Sequence, residues 1–163
     1  MEFSIRQFIE KDMLFLWEML YQAIFTPDGQ QPPTRDILKD PKIEKYLKDW
    51  GCIHDHALIA VNIDDNPIGA IWIRLLDHHH AGYGFVDDHT PELGMAILSE
   101  YRGQGIGKQL MSSLFELARS RGYLALSLSV DPRNISALRL YEKNGFKLVY
   151  QDEGGALTMK KVL

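Results

Sequence analysis

The chain of 163 residues predicts a single α/β domain built on one mixed sheet. Three observations carry this. From Glu92 to Val130 an apolar strand, a glycine-rich turn, an amphipathic helix and an alternating strand follow one another, and strands joined through a helix lie parallel in a right-handed crossover. Two apolar pairs, Ala57 to Ile63 with Ile68 to Leu76 and Phe146 to Tyr150 with Ala156 to Val162, are interrupted by turn residues and read as antiparallel hairpins. No repeat, linker or low-complexity tract divides the chain, whose length is enough to bury one sizeable core.

The elements follow in order. Glu2 to Ile9 sets Phe3 and Ile5 against Ser4 and Arg6, a first strand. Asp12 is a candidate N-cap for an apolar helix from Met13 to Phe25, and Thr26 to Pro33 is a loop. Asp40-Pro41 opens a second helix, with Ile43, Tyr46, Leu47 and Trp50 as its apolar stripe before Gly51. The first hairpin turns at Asp64 to Pro67. Asp77 to Pro91, rich in His, Gly and Asp, reads as a long functional loop with a strand extension at Tyr83 to Val86.

Glu92 to Leu98 is the strand that feeds the glycine turn. The helix after it carries Ile106, Leu110, Leu114, Leu117 and Ala118 on one face and stops at Gly122. Leu124, Leu126, Leu128 and Val130 alternate with Ala125, Ser127 and Ser129, the pattern of a half-buried strand. Asp131-Pro132 repeats the helix-opening device, and that helix runs to Asn144 before Gly145. The closing hairpin turns through Asp152 to Gly155.

Composition narrows the function. Hydrophobic residues at 45% and charged residues at 25% are ordinary for a soluble domain. A pI near 5.8 without a basic stripe argues against nucleic acid. No apolar run nears the roughly 18 residues of a membrane span. The lone Cys52 precludes an internal disulfide, and with no leader-like start the expected compartment is the cytoplasm. Residues 1–100 carry 8 Lys or Arg against 17 Asp or Glu, whereas residues 101–163 carry 10 against 5. A basic half suits a polyphosphate cofactor; an acidic half containing Asp87, Asp88 and Glu92 suits a cationic substrate.

The stretch Tyr101-Arg-Gly-Gln-Gly-Ile-Gly-Lys108 places Gly103, Gly105 and Gly107 at alternate positions. Without Cβ atoms its backbone can approach a ligand, and the first N–H groups of the following helix make an anion site. A Walker loop fails because its required positions hold Arg102 and Gln109. A dinucleotide fingerprint fails because its last position falls on Lys108 or Leu110. What remains is Arg-x-x-Gly-x-Gly, Arg102 to Gly107. A second motif is Asn134-Ile-Ser-Ala-Leu-Arg-Leu-Tyr141 before Gly145-Phe146. Two helical turns bring Asn134 and Tyr141 to nearly the same face, about 10 Å apart along the axis. Taken alone, they read as a cap and a packed aromatic.

Together, the two motifs resemble the GNAT superfamily of N-acetyltransferases from Glu92 to Tyr150, and the earlier elements fit the same order. The resemblance implies a GNAT-like, mostly antiparallel sheet with splayed central parallel strands and flanking helices. It implies a substrate-side half, 1–91, and a half for acetyl-CoA and catalysis, 92–163. Met95, Ala96 and Ile97 would pair their backbone with pantetheine. Arg102, Gly103, Gln104, Gly105, Ile106, Gly107 and Lys108 would wrap the pyrophosphate through N–H groups. Asn134 would bond the cofactor arm and Tyr141 would protonate the departing thiolate.

Acyl transfer to an amine also needs a proton acceptor. Glu92, at the start of the strand leading to the loop, is the favoured base, directly or through water. Some family members carry Glu five residues before the helix Asn, where this chain has Ser129, so Asp87, Asp88 and His89 stay as runners-up. No metal is expected, because consecutive His78, His79 and His80, or His54 with His56, define no coordination geometry. The expected acceptor is a cationic primary amine, a small molecule or a peptide, and family habit suggests a homodimer. A non-catalytic acyl-CoA-binding module and a transferase using another acyl donor are the alternatives.

Overall fold

A computed structural model describes residues 1–163. The seven strands are β1 (Phe3–Gln7), β2 (His56–Asn62), β3 (Pro67–Arg74), β4 (Glu92–Ile97), β5 (Ala125–Val130), β6 (Lys147–Gln151) and β7 (Leu157–Val162). They form one sheet in the order β1-β2-β3-β4-β5-β7-β6. The helices are α1 (Met13–Gln22), α2 (Pro41–Glu44), α3 (Ile106–Ser120) and α4 (Ile135–Lys143). The expected mixed, mostly antiparallel sheet is the one observed.

The sheet is apolar on both faces because both are covered. Leu58 and Ala60 of β2 join Leu110, Met111 and Leu114 of α3 in one buried cluster. Ala57, Ile59 and Val61 of the same strand pack with Leu16, Met19 and Leu20 of α1 in another. Strands buried on both faces read as continuous apolar runs, which is what β2 and β3 show.

Every neighbouring pair is antiparallel except β4 and β5, which are parallel and share a single registered pair, Glu92 with Ser127. The Ser127 N–H donates to the Pro91 carbonyl at 3.0 Å. Beyond that point the strands part, and the fork between them is the main architectural feature of the chain.

Several expected boundaries move, for physical reasons. Asp12 does not cap α1: its carboxylate takes two hydrogen bonds from Arg6, at 2.7 and 2.9 Å, and one from the Ile9 N–H at 2.9 Å, so the helical segment begins a turn earlier, at Glu10. Asp40 does cap α2, accepting from Lys42 N–H at 3.0 Å, but the α-helix ends at Glu44 and irregular turns carry the chain to Trp50. Tyr83 to Val86 forms a turn and not a strand. Strand β5 is buried on both faces, while Leu124 lies outside it and is 81% exposed. Helix α4 starts at Ile135, not at Pro132, because Asp131 is held by Arg133 and Asn134 is the residue that caps.

Candidate active site

A groove of about 740 Å³ occupies the fork. One wall is β4, at Met95, Ala96 and Ile97; the other is β5, at Ser129 and Val130, with Asp131 beyond it. One edge of β4 is paired along its length to β3, and past Glu92 its other edge has no strand partner. That edge therefore offers main-chain groups to whatever fills the groove.

The glycine turn closes the groove at one end. Gly103 and Gly105 have φ of +75° and +85°, a left-handed backbone that carries the chain into α3 and that side chains with a Cβ rarely adopt. The N–H groups of Gly103, Gln104, Gly105, Ile106, Gly107 and Lys108 find no acceptor within the chain; the first such bond is Gln109 N–H to Gly105 O at 3.1 Å. Six successive donors at the positive end of a helix of 15 residues fit a diphosphate anion. Arg102 plays a different part from the one expected. Its N–H is taken by Ser99 O at 3.3 Å, and its Nε donates to Ile97 O at 3.0 Å, so it ties the turn to the end of β4. The Gln104 side chain reaches back to Glu100 O at 3.5 Å.

Helix α4 supplies the remaining wall. Asn134 lines the groove and also caps its own helix, its Oδ1 accepting from the Ala137 N–H at 3.3 Å, which leaves its amide NH₂ to donate. Tyr141 lines the same groove, two turns on, with its ring packed edge-on against Phe146 at 5.8 Å between centroids. Burial alone pushes the Tyr141 hydroxyl up to about 12, so it stays protonated at neutral pH. Tyr21, Phe25, Pro32 and Pro33 form the facing wall. Nothing local in the sequence marked the two prolines.

Glu92 is not brought to this groove. Its side chain points to the α1 side of the sheet, 2% exposed, where Oε1 accepts from Gly84 N–H at 2.8 Å and Tyr46 OH at 3.3 Å, and Oε2 from Gly82 N–H at 3.0 Å. Burial raises its carboxyl above the usual glutamate range, against the pull of those donors. The runners-up are elsewhere too. Asp87 accepts from His89 N–H and from Thr90 OH, and Asp88 from His78. His78 and His80 pair with different carboxylates, Asp88 and Asp77, and no three His, Cys, Asp or Glu side chains gather as a metal ion would need. No helix is long and apolar enough to cross a membrane.

The model of the acetyltransferase (GNAT) family matches residues 17–146. An uncharacterized N-acetyltransferase of Bacillus subtilis (strain 168) is 33% identical over 93 residues, 56% of this chain and 56% of that protein. The chain thus spans little more than half the length of that relative. A protein of Bacillus subtilis subsp. natto named probable spermine N(1)-acetyltransferase is 28% identical over 123 residues, 70% of this chain and 68% of the other. Among solved structures, the PaiA N-acetyltransferase of Thermoplasma acidophilum, in complex with coenzyme A, superimposes with a TM-score of 0.67 at 21% identity and covers 100% of both chains. At that identity the likeness is one of fold.

Proposed function

The chain belongs to the GNAT family of acetyltransferases, and from that premise we propose that it transfers the acetyl group of acetyl-CoA to a primary amine by direct attack. The observation that carries the reading is that one groove is lined both by Gly103, Gly105, Ile106, Gly107 and Lys108, whose N–H groups have no acceptor in the chain, and by Tyr141, whose hydroxyl is protonated. Bound acetyl-CoA would supply an activated thioester.

The chain's own residues would do the rest. Main-chain N–H groups from Gly103 to Lys108 hold the diphosphate. The free edge of β4 at Met95, Ala96 and Ile97 pairs with the pantetheine arm and polarises the thioester carbonyl, and the Asn134 amide bonds the arm from the other side. Tyr141 donates its proton to the departing sulfur; a phenol at about 12 is protonated when needed. Glu92 takes the proton of the amine, through water or after its own donors are released; burial raises its carboxyl above the usual range, which makes it a stronger base than an exposed glutamate. The relative named for spermine supports a cationic acceptor, as does the acidic excess of residues 1–100.

Thiol release from acetyl-CoA across a panel of amines tests the reading. Turnover that Tyr141→Phe abolishes with little change in coenzyme A affinity would support it. Coenzyme A binding with no turnover on any amine would leave the binding-module alternative in its place.

A further inference from the structure

The groove ends where β4 and β5 come together, and two glycines there seat parts of the chain itself. On β4, Gly94 is the register partner of Trp72. A Cβ on Gly94 would stand 2.5 Å from Trp72 Cε2 and Cζ2 and 2.7 Å from its Nε1, so the edge of the indole rests on bare backbone. On β5, a Cβ on Gly84 would stand 2.5 Å from the Leu128 carbonyl carbon and 2.7 Å from Ser129 N, which brings the turn Gly82-Tyr83-Gly84 onto the backbone of that strand. Neither glycine has positive φ, so it is closeness and not backbone shape that excludes other residues. We infer that Trp72 is the floor of the acyl site and limits the donor to short acyl groups. The inference rests on the acetyl-CoA reading of the groove and names the residue that measures the donor.

Direction is the first argument. The six unpaired N–H groups follow Ile97, so a coenzyme A arm laid along β4 from that end runs back toward Glu92. It carries its acyl group to the closed end of the fork. The innermost residues that line the groove there are Met95 on β4 and Ser129 on β5. The next residue inward on β4 is Gly94, and the indole lies on it.

Packing is the second. Trp72, 1% exposed, is the largest of the fully buried side chains. It shares a cluster with Leu16 and Met19 of α1 and with Ala96, which itself lines the groove. On the other face of the sheet, Leu93 and Leu128 are buried with Leu110 of α3. Both faces beside the closed end are therefore filled. An acyl chain longer than the groove must displace a packed side chain, and overfilling a close-packed interior is unfavourable.

Polarity is the third. Trp72 Nε1 and Ser127 Oγ are buried and have no hydrogen-bond partner. Ser127 lies two residues inward from Ser129, on the same face of β5. Buried polar groups need a polar partner or water. An acyl group that stops at the floor leaves this layer undisturbed, whereas methylenes pushed into it can satisfy neither atom.

Calorimetry of coenzyme A thioesters on the full chain, with no amine present, tests this, and the quantity read is the ratio of acetyl-CoA to hexanoyl-CoA affinity. The wild type should favour acetyl-CoA by about 10- to 100-fold, the factor that overpacking implies. Trp72→Ala should bring the ratio to within about threefold of one, because cavities on the order of 150 Å³ left by truncating core side chains stay dry and take up small apolar ligands. A variant that merely loosened the site would weaken both thioesters and keep their ratio. A wild-type ratio near one, or a ratio that Trp72→Ala leaves unchanged, overturns the inference. If Trp72→Ala does not fold, Trp72→Phe, which keeps a ring and removes the unpaired N–H, should still lower the ratio by about threefold, and an unchanged ratio there counts the same way. If neither thioester binds, the acetyl-CoA reading falls and this inference with it. Selective binding without thiol release on any amine removes the transferase reading and leaves the floor in place.

Discussion

The two ends of β4 solve opposite problems. At Glu92 a buried acceptor is saturated by the chain's own donors, two glycine N–H groups and a phenol. Past Ile97, where the strand runs into the glycine turn, six donors in a row have no acceptor in the chain. A fold tolerates that second arrangement only where solvent or a ligand completes it. The unpaired end marks a binding surface, and the paired end marks where the chain is either finished or temporarily closed.

Four measurements sharpen or break this contrast. The largest effect is expected at the paired end. Arg74 and Asp55, both nearly inaccessible, make two hydrogen bonds at 2.9 Å, and Arg74 also donates to the Lys45 and Lys48 carbonyls, pinning the segment after α2 beside Tyr46. Arg74→Ala leaves the buried Asp55 carboxylate without its counter-charge, held only by the Gly51 and Cys52 N–H groups, and chemical denaturation should register a loss of about 3–5 kcal/mol. A small loss would mean that this end is not rigidly built.

Next comes Tyr141→Phe, which removes only the hydroxyl of a residue that lines the groove. Acetyl transfer should slow about 100-fold, near 2.7 kcal/mol of barrier, with coenzyme A affinity unchanged by calorimetry. An unaltered rate would strip the open end of chemistry and leave it a binding surface. Gly105→Ala puts a Cβ on a left-handed residue that has open space around it, so its cost is conformational, about 1–2 kcal/mol by thermal unfolding. Because the strain falls on the donors themselves, coenzyme A affinity should drop as well; full affinity would argue that the six N–H groups are not what holds it.

The smallest effect is a pH dependence. Burial holds the Glu92 carboxyl above its ordinary value of 4.5, so the folded protein keeps that proton to higher pH than the unfolded chain does. The contribution of Glu92 to stability is thus fully present below about pH 4.5 and is lost as pH rises through the folded value. Denaturation of wild type and Glu92→Gln from about pH 4 to 8 should show the wild type losing ground to the variant as pH increases. Parallel curves would mean that the three donors offset burial fully.

What the sequence disclosed was local. The glycine turn and the Asn134–Tyr141 spacing each lie within one short stretch, and both line the groove at the fork. The surroundings of Glu92 were illegible because its partners are 8, 10 and 46 residues away in the chain. Two caps were misassigned for one reason: Asp12 and Asp131 read as caps, but Arg6 and Arg133 take their carboxylates. Likewise the alternation in β5 promised one wet face, and the Gly84 turn lies on part of it. Side chains with a choice of partners defeat rules written for neighbours.

The lone registered pair between β4 and β5 has a mechanical meaning. Strands β1 to β4 and strands β5 to β7 are each laced by ladders of several registered pairs, but only Glu92 and Ser127 join the two panels in register. The sheet has a seam, and an occupant laid along it would act as mortar, resisting a load that the empty protein passes through a few backbone bonds.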